Sequence, residues 1–382
     1  MSITIKEVLT KKELKQFIKF PHTLYKNDPM YIPALDLDEM ATLQKSNPAF
    51  AHCDARYFLA YKNGKIAGRV AAIINHHANR DWNQKNIRFG WFDVIDDINV
   101  TKALIGSVGQ WGIELGMERI SGPWGFTDMD KEGLLTEGYD QLQSITTIYN
   151  YPYYKDHLEA LGFQKDVEWI QMRLALPQEK NEKFSQFKNL LLEKHGLSIV
   201  KTKSTKELKI RAKELFNVLN EAYSVLHEFT KLNEKQIDAY IAQYIPLINK
   251  DMICMIEDRN KKIIGFAITM PSLSKAFQKA KGKLFPFGWY HILKALKSND
   301  TVECYLIGLV PEYQNKGLNA IIFDHLHSNY IKMGIKTLVA NPQLETNTAA
   351  IRLFGSYPTE IFARRRCYFN HLSNQSKNER CQ

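Results

Sequence analysis

VECYLIGLVPEYQNKGLNAIIFDHL, residues 302–326, decides the reading of this chain. An apolar run that suits a strand ends at Val310-Pro311. A polar loop, Glu312 to Gly317, follows. From Leu318 to Met333 the apolar positions Ile322, Leu326, Tyr330 and Met333 fall on one helical face, and Gly334 closes the helix. The first N–H groups of such a helix have no intrahelical partner, and the macrodipole is positive there. That makes strand, loop and helix start a ready site for a pyrophosphate. Gly317 lets the backbone approach an anion closely, and Lys316 adds charge.

Working outward, the second half alternates helices and strands. Helical periodicity covers Glu207–Tyr223 and Glu234–Ile248. Met252–Ile256, Ile263–Met270, Ile335–Ala340 and Ile361–Leu372 read as strands, and Thr348–Phe354 starts a further helix with Asn347 or Thr348 as its cap. That order predicts a mixed α/β sheet. YFLAYKNGKIAGRVAAII (57–74) and MICMIEDRNKKIIGFAITM (252–270) each carry an apolar run, a polar turn, Lys-Ile-x-Gly and a second apolar run. Asn63-Gly64 is a strong hairpin signal. The chain thus reads as two copies of one α/β plan, 1–175 and 185–372, joined by a polar linker at 174–184 and ending in a polar tail, 373–382.

Composition agrees with two soluble globular domains. The chain has 382 residues, 45% apolar and 24% charged. No apolar stretch approaches the ~18 residues of a spanning helix, and the N-terminal residues do not read as a signal peptide. The five cysteines form no ligand spacing, so no metal and a reducing, cytoplasmic setting are expected. A net charge of +10 favours an anionic ligand: nucleic acid, a membrane surface or a polyphosphate. No nucleic-acid motif accompanies it, so none is expected as partner.

The 302–326 segment resembles motif A of the GCN5-related N-acetyltransferase (GNAT) superfamily, Gln/Arg-x-x-Gly-x-Gly/Ala. Gln314 and Gly317 match. Asn319 departs from the third position, though Asn tolerates positive φ. Thirty-three residues after Gln314, Asn347-Thr-Ala-Ala-Ile-Arg-Leu-Phe354 resembles the next motif, Asn-x-x-Ala-x-x-Leu-Tyr. The resemblance covers about residues 198–372 and implies acetyl-CoA or a longer acyl-CoA as co-substrate, with an amine attacking the thioester directly. Gly308, Leu309, Val310, Gln314, Asn315, Lys316, Gly317, Leu318, Asn319, Asn347 and Arg352 would hold it. Gly308 or Leu309 N–H would polarise the carbonyl. Glu303, eleven residues before Gln314, has the spacing of the general base in the histone acetyltransferase branch. Phe354 stands where many members carry the acid Tyr; Tyr357 and Tyr368 are the substitutes.

The first half resembles a second copy without its loop. Arg88–Ile95 is the equivalent strand, followed by Asp96-Asp97-Ile98-Asn99-Val100, acidic and without glycine, which repels pyrophosphate. Asn150 to Phe163, ending Leu-Gly-Phe, resembles the superfamily's final helix. The loop Gly122–Gly138 offers Asp128, Asp130 and Glu132 to a cationic amine, or is a solvated loop. The insertion 271–300 holds six lysines, one acid and many aromatics. It suits a lid over an acyl chain, a peripheral membrane segment or a packed helix. Arg364-Arg365-Arg366 are candidates for phosphate contacts, and His76-His77 form a surface pair. The general look is similar to two-domain bacterial members that acylate long-chain amines. The acceptor class is therefore a small-molecule or lipid amine. Two other functions fit a tandem GNAT chain: transfer from aminoacyl-tRNA, and acyl-CoA binding without catalysis.

Overall fold

The computed structural model describes residues 2–202, 204–226, 228–348, 351 and 358–372. Arg352, Phe354, Tyr357 and the tail 373–382 lie outside them. The chain divides into two compact units. The first comprises Met1–Ile170, Ser274–Ile292 and the residues from Phe362 onward, and the second Gln171–Leu273 and Leu293–Ile361.

In chain order the elements begin with β1 (Ile3–Glu7), α1 (Lys11–Leu24), α2 (Asp36–Leu43), β2 (Cys53–Lys62), β3 (Lys65–Asn75), α3 (His76–Asp81), β4 (Asn86–Val94) and α4 (Ile98–Glu114). There follow β5 (Arg119–Gly122), β6 (Leu134–Glu137), α5 (Tyr153–Ala160), β7 (Gln164–Ala175), α6 (Glu182–His195), β8 (Ser198–Ile199), α7 (Thr205–Ala222) and α8 (Glu234–Tyr244). The remainder are β9 (Ile253–Glu257), β10 (Ile263–Pro271), α9 (Ser274–Ala280), α10 (Gly288–Lys297), β11 (Thr301–Leu309), α11 (Asn319–Met333), β12 (Thr337–Leu344) and β13 (Thr359–His371).

Local chemistry explains the punctuation. Thr10 and Glu13 form a reciprocal capping box at the start of α1. Asn63 and Gly64 both take positive φ, +52° and +75°, and close the β2–β3 hairpin. Gly334 takes φ +71° and ends α11. The supposed linker is shorter than its polar composition suggests, because β7 runs to Ala175 and α6 starts at Glu182.

In the first unit β1, β2, β3 and β4 pair antiparallel, and β5 joins β4 in parallel. Helix α4 buries Val100, Leu104, Ile105 and Val108 in one core layer, and α1 buries Phe17 and Ile18 in another. In the second unit β8 to β11 pair antiparallel and β12 joins β11 in parallel. Leu208, Ala212, Leu215 and Leu219 of α7, and Ile321, Ile322 and Leu326 of α11, are buried there. The predicted duplication is therefore present as the same hairpin, strand, helix and parallel strand in both units.

One expectation needs correction. Residues 361–372 read as the strand completing the second half's own sheet. Instead Tyr368–His371 of β13 pair antiparallel with Arg119–Gly122 of β5 in the first unit, and β6 pairs with Arg364–Arg366. A strand's partner is chosen by long-range packing, which local sequence does not encode. The insertion is corrected likewise: Ser274–Ile292 is packed into the first unit.

Candidate functional site

The second unit's site starts where two parallel strands part. β11 and β12 pair from Thr301↔Thr337 to Cys304↔Ala340 and no further, although both continue. A bulge lies at the same place. Ile268 faces Leu306 while Thr269 faces Cys304, so Tyr305 is the extra residue. Bulges bend a strand and re-aim its side chains. Beyond the bulge, β11 has β10 on one side and an opening on the other.

Backbone alternation decides which N–H faces the opening. Val310 N donates to Ile264 O at 2.9 Å, toward β10. Period-two geometry points Gly308 the same way and Leu309 N–H toward the opening. Of the two expected carbonyl donors, Leu309 thus has its N–H toward the opening and Gly308 has its own toward β10. Ile307, which also alternates toward the opening, has its N–H held by Tyr223 Oη at 3.4 Å, and that hydroxyl donates to Ile307 O at 3.2 Å.

The loop then turns into α11. Gln314 Nε2 donates to Leu309 O at 2.9 Å, bracing the loop on the strand end. Asn315 and Gly317 both have positive φ, +60° and +75°. Asn319 does not; it is the first residue of α11, so the Asn that uses its tolerance is Asn315. The loop from Gln314 to Gly317 is exposed, and Lys316 Nζ lies 5.0 Å from the Tyr313 ring centre. Leu318 is the N-cap and is fully buried. With no side-chain oxygen it leaves the first turn of α11 without a side-chain cap. A carbon added at Gly317 meets only Phe187, at 3.9 Å, so conformation rather than space requires glycine there. Asp324 ties α11 to α6, accepting from Ser185 Oγ at 2.8 Å and Lys188 Nζ at 2.6 Å. A bare helix start with a braced, glycine-bearing loop fits a polyphosphate such as that of coenzyme A. Asn347 is half-buried, after the end of β12.

Glu303 lies on β11 one residue before the strands part, 2% exposed. Two residues on, Tyr305 has a buried hydroxyl whose pKa is raised well above 10, by burial first and then by the Glu303 and Tyr244 charges. A phenol in that state keeps its proton and acts as a donor. Sequence reasoning missed Tyr305, because only the bulge distinguishes it from any strand tyrosine. Cys304 between them is buried and its thiol is pushed up to about 12, so no thiolate nucleophile is available there.

Other candidates are placed elsewhere. Tyr368 is in the first unit's core, its hydroxyl donating to Glu159 at 3.0 Å. Asp130 accepts from Phe126 N and Thr127 N at 2.9 and 3.1 Å, and burial pushes its carboxyl up to about 6. It closes its own loop rather than waiting for an amine. Asp128 and Glu132 are half-buried and neither is free. Gly122–Gly138 is thus no solvated loop, since Gly122 to Thr127 are buried. Arg364 and Arg366 both bind Glu168, at 3.1 and 2.6 Å. Arg365, on the other face, is fully buried against Gln143 and the Ile148 carbonyl, and burial brings its pKa down to about 9. The arginine run is therefore engaged in pairing within the first unit. His76 Nε2 lies 2.8 Å from Asp54, and His77 stacks on His52.

The first unit repeats the strand–helix geometry in closed form. Gly68↔Val94 corresponds to Gly265↔Leu309, and Ile95 N donates to Ala67 O as Val310 N does to Ile264 O. Val94 N–H is therefore the counterpart of Leu309 N–H. It is taken by Tyr154 Oη at 2.9 Å. Asp97 caps α4, accepting from Asn99 N at 3.0 Å, and pairs with Lys62 at 2.5 Å. Its pKa is lowered chiefly by the Lys62 hydrogen bond.

No family model matches the chain. Protein YghO of Escherichia coli (strain K12) is 28% identical over 378 residues, covering 95% of this chain and 94% of that protein. A protein named bacterial ceramide synthase, from Caulobacter vibrioides (strain NA1000 / CB15N), is 25% identical over 300 residues, 77% of each. Among solved structures, a tandem GNAT protein from the clavulanic acid biosynthesis pathway covers 97% of this chain and 99% of its own, with a TM-score of 0.56 at 9% identity. A GCN5-related N-acetyltransferase from Sphaerobacter thermophilus covers 97% and 96%, with a TM-score of 0.51 at 7% identity. With its duplicated strand–loop–helix and full-length structural match, the chain carries the fold of the GCN5-related N-acetyltransferase superfamily in tandem form.

Proposed function

We propose that the second unit binds an acyl-coenzyme A and transfers its acyl group to an amine, with a long-chain lipid amine as the acceptor class. The observation that carries this reading is the pairing of two bare donors: Leu309 N–H facing the opening, and the uncapped start of α11 behind Gly317. The first suits a carbonyl oxygen, the second a pyrophosphate. The ceramide synthase name of one relative supports N-acylation of a long-chain amine.

Bound acyl-CoA supplies a thioester, already activated toward amines. The α11 start, with Lys316, holds its phosphates. Glu303 takes a proton from the acceptor ammonium, freeing the lone pair that attacks. Leu309 N–H holds the carbonyl oxygen as it gains charge. Tyr305, which keeps its own proton, donates a hydrogen bond toward the departing sulfur. The balance is a C–N bond made and a C–S bond broken; of the two protons that the nitrogen gives up, one goes to Glu303 and the other leaves on sulfur, releasing coenzyme A as the thiol.

Isothermal titration of coenzyme A, acetyl-CoA and palmitoyl-CoA tests the reading. The native chain binds all three. Gly317→Glu sets a carboxylate against the phosphates and weakens binding at least about 100-fold, since opposed like charges cost several kcal/mol. The added carbon meets only Phe187, at 3.9 Å, but φ +75° strains any side chain there, so the variant's melting temperature is measured beside its binding. Equal binding by the variant sinks the proposal. Tighter palmitoyl-CoA than acetyl-CoA binding supports the long-chain form.

A further inference from the structure

The segment between β10 and β11 carries a surface that acyl transfer does not use. Phe285, Phe287, Trp289 and Tyr290 are all exposed, the first two at 74% and 69%. Single exposed apolar residues are ordinary, but four aromatic rings within six positions are not. Lysines precede them: Lys275, Lys279, Lys281 and Lys283, every one exposed. No acid occurs from 271 to 299 to neutralise them.

The surface is presented by a firmly held segment. Ser274 Oγ donates to Gln143 O at 2.7 Å, and Gln278 Nε2 to Pro29 O at 2.7 Å. Asp36 N donates to Gly282 O at 2.9 Å. Gly282, at φ +78°, is packed so tightly that an added carbon would lie 2.9 Å from His22. Inside, Ala276, Ala280 and Gly288 are buried. Trp289 Nε1 donates to Pro286 O at 2.9 Å, so its ring can leave water without an unmet donor.

We propose that this patch docks on a bilayer surface containing anionic lipid. The rings enter the boundary between headgroups and acyl chains, and the lysines meet the phosphates. Charge selects this occupant. A second copy of the chain, docked face to face, would set these lysines against their own equivalents, and the chain already carries +10. The inference rests on the patch alone and holds whether or not acyl transfer does.

The test is cosedimentation of the full chain with vesicles of phosphatidylcholine, with and without about 30% phosphatidylglycerol. Binding is expected to be at least about tenfold stronger on the anionic vesicles and to weaken with salt. Trp fluorescence should shift to the blue. The double variant Phe285→Ser, Phe287→Ser should lose at least about tenfold in binding at an unchanged melting temperature. Lys279→Glu with Lys283→Glu should lose the anionic preference. No sedimentation with either vesicle, equal binding to both, or native-like binding by the serine variant overturns the proposal. So does a native dimer that the serine variant converts to a monomer while vesicle binding stays the same.

Discussion

The two units contain the same opening, and only one of them leaves it open. In the second, Leu309 N–H faces the gap between β11 and β12, and α11 begins on Leu318 without a side-chain cap. In the first, the matching Val94 N–H is held by Tyr154, whose hydroxyl lies 2.6 Å from that of Tyr25, which donates to Asp93 at 2.8 Å. Tyr153 Oη donates to Val94 O at 2.6 Å. Trp124 N donates to Phe89 O across the place where β4 and β5 part, and its carbonyl sits 2.1 Å from where a carbon on Gly90 would stand. Asp97 caps α4 with a carboxylate of the chain itself. Each donor that suits a ligand in the second unit has an internal acceptor in the first. A strand–loop–helix is thus a frame for an anion site, and the site exists only where the chain withholds its own acceptors.

Substitutions can break or sharpen that contrast. The largest expected effect is on chemistry in the second unit. Glu303→Gln should lower the acyl-transfer rate at neutral pH by about 10²–10⁴-fold, with acyl-CoA affinity unchanged. Tyr305→Phe, which removes only a donor, should cost about tenfold. Single-turnover rates separate these effects from binding. A Glu303→Gln enzyme of native rate would leave Glu303 a structural residue.

In the first unit the expected loss is of stability. Tyr154→Phe strands the Val94 N–H in a core and removes a hydrogen bond from the Tyr25 hydroxyl, which costs about 1–3 kcal/mol. Urea unfolding would measure it. A native midpoint would mean that the network does not close the opening. Asp97→Ala removes a helix cap and should cost about 1 kcal/mol, or roughly 2–4 °C in a unit of this size. No second acyl-CoA site should appear, because Tyr154 still holds Val94. A second binding site in titrations of Asp97→Ala would show that charge alone had closed the first copy.

The smallest effect is a slope. Burial raises the Asp130 carboxyl to about 6 in the folded chain, above its ordinary value of 3.8. Its contribution to stability is therefore complete below pH 4 and falls away as pH rises through 6. Asp130→Asn keeps an acceptor for Phe126 N and Thr127 N without the charge. Its free energy of unfolding should gain on that of the native chain between pH 4 and pH 7, by on the order of 1 kcal/mol. A difference that does not vary with pH would place the carboxyl in water.

Much of the second unit was legible in the order of its residues. Val310-Pro311, Gln314, Gly317 and Gly334 each act through local backbone preference, so strand end, loop and helix end could be read directly. The Lys-Ile-x-Gly repeat marked the duplication, and Asp96-Asp97 marked the copy that closes. These are short-range matters of period, turn and charge, and the sequence by itself determines them. The partner of β13, the bulge at Tyr305, the turn of Leu309 rather than Gly308 to the gap, and the burial of the Asp130 carboxyl and of Arg365 were decided only by the tertiary structure. Each depends on which distant strand pairs with which, and a strand's two edges and two faces are chemically alike until that neighbour arrives.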